Sequence, residues 1–187
     1  MGLDITLDWQ GPITLDSGSE SLSNEKGVYA QKYPTDILMY YFGGTKNLKW
    51  RITEHFFLTM AGYYVIPKRS CKDFKDKLEC HYYPEKDRDF TILSNKESVL
   101  TMWEHLRSTQ YYFAEIKEDM DVVWGVERAL ITKSIEKSKN ESSDQKYCMA
   151  NMGFRGCKSC SLDLTIRNEG DPEMRKFLGD QMEHSPP

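Results

Sequence analysis

Residues 40–55 read YYFGGTKNLKWRITEH. The aromatic head of this stretch ends the apolar run ILMYYF, whose length suits a buried strand and falls far short of a membrane span. Gly43-Gly44 closes the run, and Thr45 or Asn47 can then cap a helix. Leu48, Ile52, His55, Phe56 and Thr59 recur at helical spacing, and Gly62 is a natural stop. Residues 40–62 therefore predict strand, glycine turn and helix. Arg51 and His55 lie four apart and share one helical face.

Upstream, GVYAQKY (residues 27–33) is a second strand, and Pro34-Thr35-Asp36 joins it to the first as an antiparallel hairpin. Further out, LDITLDW (3–9) alternates apolar and polar residues, and Gly11-Pro12 interrupts it before ITL resumes. This predicts an N-terminal hairpin or edge strand. Residues 16–26 read as a polar loop. Downstream, residues 63–93 are irregular, polar and basic, and look inserted. Ser94 or Asn95 opens a helix through MWEHLRS, YYFAEIK forms a strand, and Asp119 or Asp121 caps the helix VVWGVERALITKSIEK. Residues 136–147 read as loop, and the tail from Asp171 as a short helix and then an irregular end. Trp9, with Gly11-Pro12, is expected to pack the N-terminal strand onto the rest.

The chain of 187 residues can bury one sizeable core. Its 39% hydrophobic and 29% charged content is that of a globular protein, and a mean hydropathy of -0.64 argues against a membrane partner. The start, MGLDITLDWQG, lacks a secretory layout, so a cytoplasmic, reducing setting is the expectation. The net charge is -4, yet Lys46, Lys49, Arg51, Lys68, Arg69, Lys72, Lys75 and Lys77 form a basic island against Glu54, Asp73 and Asp76. Such an island is either a phosphate-binding patch or a solvated face. Five cysteines argue against a disulfide framework. Cys157 and Cys160 have half of a structural Zn²⁺ spacing, to which Cys71 and Cys80 could add the other half; the alternative is free thiols.

Gly27-Val28-Tyr29 with Tyr41-Phe42-Gly43 resembles the paired signature of the GIY-YIG nuclease superfamily. The family places an arginine ten residues after its second tyrosine, here Arg51, and often a histidine one turn on, here His55. The wording TKNLKWR is similar to the family's, and VERALI supplies a later glutamate, Glu127. The likeness covers residues 27–60 and 111–140. It departs in GVY for GIY, in YFG for YIG, and in a long stretch at 61–110. The family's asparagine falls best on Asn140, just past the predicted helix, with Asn151 as the fallback.

The resemblance implies an α+β fold: a small three-stranded antiparallel sheet flanked by helices. Residues 1–187 would form one nuclease domain, with 1–26 an N-terminal strand extension, 27–60 and 111–140 the core, 61–110 an insertion and 141–187 a C-terminal extension. It implies a restriction-type or phage-type endonuclease cutting DNA, plausible as a homodimer or higher oligomer because two strands need two sites. Alternatives are a nucleic-acid-binding module that does not cut, or a nuclease for RNA or branched DNA. The implied roles are chemically coherent. Tyr29 is the general base, with Tyr41 beside it on the paired strand. Arg51 offers a planar fork to phosphate, with His55 on the same helical face. Glu127 holds one Mg²⁺ or Mn²⁺ that keeps most of its waters. Asn140 completes the set, and Lys46 and Lys49 contact neighbouring phosphates.

Overall fold

The structure, a computed structural model, describes residues 2–18, 20–71, 80–82, 95–140, 147–149 and 162–185; side chains 82, 138–140 and 147–149 are outside that description. Its centre is the predicted hairpin plus one strand. β2 (Gly27–Lys32) pairs antiparallel with β3 (Leu38–Thr45) on one edge and with β6 (Gln110–Glu115) on the other. All three strands are apolar or aromatic almost throughout because both faces are covered. Val28, Ala30, Tyr40, Phe42, Tyr112 and Ala114 form one face, against α3 (Met120–Asn140) and α4 (Pro172–Leu178). Tyr29, Tyr111 and Phe113 form the other, against Leu48 and Ile52 of α1 (Leu48–Met60).

The sheet is not three-stranded. Seven strands form a mixed sheet in the order β7 (Tyr147–Met149), β3, β2, β6, β1 (Leu3–Ile13), β8 (Leu164–Gly170), β9 (Gln181–His184). β1 is neither hairpin nor edge. Leu3 to Trp9 run parallel to β8, and Gln10 and Ile13 meet β6 antiparallel. Its alternation buries Ile5, Leu7 and Trp9 on one face, as read. That pattern states which face is covered, but not how many neighbours satisfy the backbone groups along each edge. The indole N–H of Trp9 donates to Asn168 Oδ1 (3.0 Å), and Asn168 Nδ2 donates to the Gly179 carbonyl (2.8 Å). β9 lies antiparallel on β8, and β7 parallel on β3. The C-terminal extension thus holds three unpredicted strands, β7, β8 and β9, besides its helix. The alternation of Leu162, Leu164 and Ile166 was the available signal for β8.

The helix starts follow their caps. Asn47 Oδ1 accepts from Trp50 N (2.7 Å), and Asn95 Oδ1 accepts from Glu97 N and Ser98 N at the start of α2 (Lys96–Ser108). α2 reaches α1 through Val99 and Met102, which pack with Met60 and with Ile66 of β4 (Ile66–Pro67). β4 pairs with β5 (Cys80–Tyr82), a small ladder inside the stretch read as irregular; residues 72–79 and 83–94 lie outside the described ones. α3 continues to Asn140, so the segment read as loop from residue 136 is helical at its start.

α4 is fastened to the central strands through one carboxylate. Asp171 Oδ1 caps the helix by accepting from Glu173 N and Met174 N. The Glu173 side chain accepts from Lys32 Nζ on β2, from Tyr40 Oη on β3 (2.7 Å) and from Tyr112 Oη on β6 (2.7 Å). Burial opposes ionisation of Glu173, but the three donors outweigh it and hold the carboxyl below the usual carboxylate range. A depressed folded pKa stabilises the fold above the ordinary carboxylate pKa, and this contribution is lost as pH falls through the lowered value. Glu173→Gln is expected to cost about 1–2 kcal/mol at pH 7, discounted for the partial exposure of the pair. The gap to wild type should narrow below about pH 4. Urea unfolding at pH 7 and pH 3 measures both; a gap that stays constant with pH would remove the charge from the account.

No helix among the described residues is long and apolar enough to cross a membrane.

Candidate active site

The site forms where β3 ends and α1 begins. The cross-strand register places Tyr29 opposite Gly43 and Val28 opposite Gly44. Strand side chains alternate, so the two glycines open opposite faces of the sheet at one point. A Cβ at Gly43 would stand 2.4 Å from Tyr29 Oη, so the ring crosses β3 where glycine leaves no side chain. A Cβ at Gly44 would stand 3.2 Å from Glu127 Oε2 and 3.1 Å from Val123 Cγ1, both on α3. The glycine pair thus admits a phenol from one side and a carboxylate from the other.

Having crossed β3, Tyr29 Oη reaches α1. Arg51 Nε donates to it (3.3 Å), and His55 Nε2 lies 2.7 Å away. Arg51 also forms an ion pair with Glu54. Arginine can only donate, so the phenol oxygen accepts from Arg51 and its own proton points to His55 Nε2. The imidazole is then a neutral acceptor carrying its hydrogen on Nδ1, a tautomer inferred from the bonding pattern. The surroundings agree. His55 is 3% exposed, and burial, followed by the Arg51 charge, lowers its pKa to about 3. Aromatic rings surround it: Tyr29 at 5.3 Å, Tyr41 at 5.8 Å, Tyr111 at 6.2 Å, and Tyr64 stacked at 4.9 Å with an interplanar angle of 21°.

Burial and the neighbouring Tyr41 raise the Tyr29 phenol pKa well above its ordinary value, against the opposing pull of Arg51. Resting Tyr29 is therefore protonated. Tyr41 pairs in register with Gln31, so it is the diagonal neighbour of Tyr29, and their ring centroids are 6.2 Å apart. Glu127 is half-buried. Burial raises its pKa to about 7, while the Gly44 N–H and the Arg51 charge act in the opposite direction.

Tyr29, Tyr41, Arg51, His55 and Glu127 are thus brought to one strand end from four elements. Asn140 is not. α3 is continuous from Met120 to Asn140, so thirteen residues of helix separate Asn140 from Glu127, about 20 Å along the axis. By sequence pattern alone, the helix ends near residue 136 and Asn140 falls in the loop just past it. Asn151, Cys157 and Cys160 lie outside the described residues; Cys71 and Cys80 are both buried. Lys46 is exposed in the β3–α1 turn, and Lys49 is half-buried on the first turn of α1. Arg69 of the basic island is paired with Asp36 (3.1 Å), and Lys72, Lys75 and Lys77 lie outside the described residues. Tyr64 was missed: it follows the Gly62 turn and sits in no periodic pattern that would have marked it.

No group of three or more His, Cys, Asp or Glu side chains suited to a metal ion occurs among the described residues. Glu127 by itself fits one hard divalent cation. Its carboxylate is drawn partly out of water and takes a backbone N–H in place of a side-chain cation, and a single carboxylate suits Mg²⁺ that keeps most of its waters.

No protein-family model, curated protein or solved structure matches this chain.

Proposed function

We propose that the chain is a metal-assisted endonuclease that hydrolyses phosphodiester bonds in DNA. The observation that carries this reading is the relay at Tyr29: one phenol oxygen bonded to a guanidinium and to a buried neutral imidazole, at the strand end that also meets Glu127. A water held against Tyr29 Oη passes its proton to the phenol as the phenol proton moves to His55 Nε2. The water oxygen bonds to phosphorus, and the bond from phosphorus to the leaving sugar oxygen breaks. Arg51 lies between the phenol and Glu54, placed to offset negative charge on phosphate oxygens as it develops. Glu127 would hold Mg²⁺ or Mn²⁺, which supplies positive charge to the phosphate and to the leaving oxygen. Tyr41, half-buried beside Tyr29, would line the approach, and Lys46 and Lys49 would meet flanking phosphates.

A restriction-type enzyme of this kind cuts two strands at one site, which calls for two such centres and hence a homodimer or higher oligomer. Incubation with plasmid DNA and Mg²⁺ tests the activity. Arg51→Ala should lower the single-turnover rate about 10²–10³-fold. Arg51→Lys should recover only part of it, because an ammonium lacks the planar fork. Cleavage at wild-type rate by both variants would sink the assignment.

A further inference from the structure

The outer face of α1 leaves two large apolar side chains in water: Trp50 at 69% exposure and Phe57 at 71%. They differ in what surrounds them. Trp50 is the third residue of α1, and long side chains on a helix lean back toward its N-terminus. The indole therefore leans toward the N-terminal end of α1, the end that carries Lys46 in the preceding turn and Lys49 and Arg51 on either side of Trp50 in the chain. The same end of α1 leads out of Gly43-Gly44, which Tyr29 and Glu127 approach from opposite faces. Two carboxylates stand near. Glu54 is engaged by Arg51, and Glu25 belongs to the segment whose carbonyl accepts Leu48 N–H (2.9 Å), with Lys26 following it. Lys26, Lys46, Lys49 and Arg51 outnumber Glu25 and Glu54 at the end of α1 that carries the exposed indole.

Phe57 lies seven residues on along the same face, but residues 52–60 hold no lysine or arginine, so the cations gather at the Trp50 end. A nucleic-acid strand matches both features at once, its bases offering flat faces to stack and its phosphates meeting the lysines. We propose that Trp50 is a stacking platform for an unpaired base of the nucleic acid whose backbone lies across the Tyr29–Glu127 site, with Lys46 and Lys49 on the adjoining phosphates. The proposal rests on the nuclease reading and narrows its substrate. A base inside a duplex shows only its edges, so the substrate presents a base that is single-stranded, at a branch, or turned out of the helix.

Binding of the full chain to a labelled oligonucleotide, without divalent metal, tests this on the single strand and on its blunt duplex. Trp50→Ala should weaken single-strand binding about 5- to 150-fold, the range that one stacked base contributes. Trp50→Phe should retain most of the affinity, and Phe57→Ala all of it. Duplex affinity should be less affected, and the salt dependence unchanged, because no charge is lost. Lys46→Ala should instead reduce the salt slope by about one. If wild type binds and cuts while Trp50→Ala binds single strands normally, the stacking role is overturned and the nuclease reading stands. If Trp50→Ala splits a dimer seen in sedimentation without affecting single-strand binding, the face belongs to a second copy and the proposal falls. A wild type that neither binds nor cuts any nucleic acid overturns both.

Discussion

Glu127→Gln is expected to make the protein more stable at pH 8 and at least about 10³-fold slower in cleavage. The two effects have one cause. Glu127 is pressed against Gly44 from α3, and burial raises its pKa to about 7. A carboxyl whose folded pKa lies above its unfolded value binds its proton more tightly in the folded state. Its contribution to stability is complete below the unfolded pKa, near 4.5, and is lost as pH rises to 7 and beyond. At pH 8 the wild type therefore ionises a group that its surroundings disfavour. Glutamine keeps the shape and carries no charge, and should return on the order of 1–2 kcal/mol. Thermal unfolding followed from pH 5 to pH 8 should show a decline in Tm for wild type that Glu127→Gln lacks. On the proposed function, cleavage would need the ionised form, since a divalent cation binds the carboxylate and not the acid. Mg²⁺ should accordingly bind wild type about tenfold more weakly at pH 6 than at pH 8, and the amide variant should lose this binding. A variant less stable than wild type at pH 8, or one that still cleaves with Mg²⁺, would remove Glu127 from the role.

Gly43→Ala should be at least as damaging to activity and should also destabilise the fold. The added Cβ would lie 2.4 Å from Tyr29 Oη and 2.5 Å from Tyr29 Cζ. One of the two must move, and the ring has little room: Tyr29 is 1% exposed and packs among Leu48, Ile52 and Phe113. Turning the ring away breaks both bonds at its oxygen, to His55 and to Arg51, and leaves His55 Nε2 buried without a donor. The overpacking and the lost bonds together should cost about 2–4 kcal/mol. Activity should fall by at least about 10²-fold even under conditions where the variant is folded. Gly44→Ala is the informative partner, because the Cβ contacts there, 3.1 Å and 3.2 Å, are to side-chain atoms of Val123 and Glu127. It should be milder in stability, and it should alter Mg²⁺ dependence before it alters the Tyr29 relay. Chemical unfolding with tyrosine difference spectroscopy measures the first variant, and Mg²⁺ titration of cleavage the second. Equal stability of Gly43→Ala and wild type would mean that the ring does not depend on the glycine.

How much of this was legible follows from the range of each signal. The hairpin, α1 with its Asn47 cap, the start of α2 and β6 were readable because alternation, helical spacing and caps are local. Arg51 and His55 could be placed on one face because four residues is one helical turn. β1 was visible as a strand but not as an internal one, since edge or centre depends on whether β8, more than 150 residues away, comes to lie beside it. Asn140 was misplaced because the end of α3 carried no proline or glycine stop, and polar residues continued the helix where loop was read. Tyr64 carried no local signal at all.

The sequence by itself determined that YYFGGTKNLKWRITEH is a strand, two glycines and a capped helix, and that Arg51 and His55 point the same way. It could not say why both glycines are needed. Only the tertiary structure decided that, because it depends on what approaches the strand from each side: the phenol of Tyr29 over Gly43, and the carboxylate of Glu127 against Gly44. An added Cβ is excluded by atoms fourteen residues earlier in the chain on one face, and crowded by atoms eighty-three later on the other. Steric exclusion of that kind is a property of packing, and no window of sequence contains it.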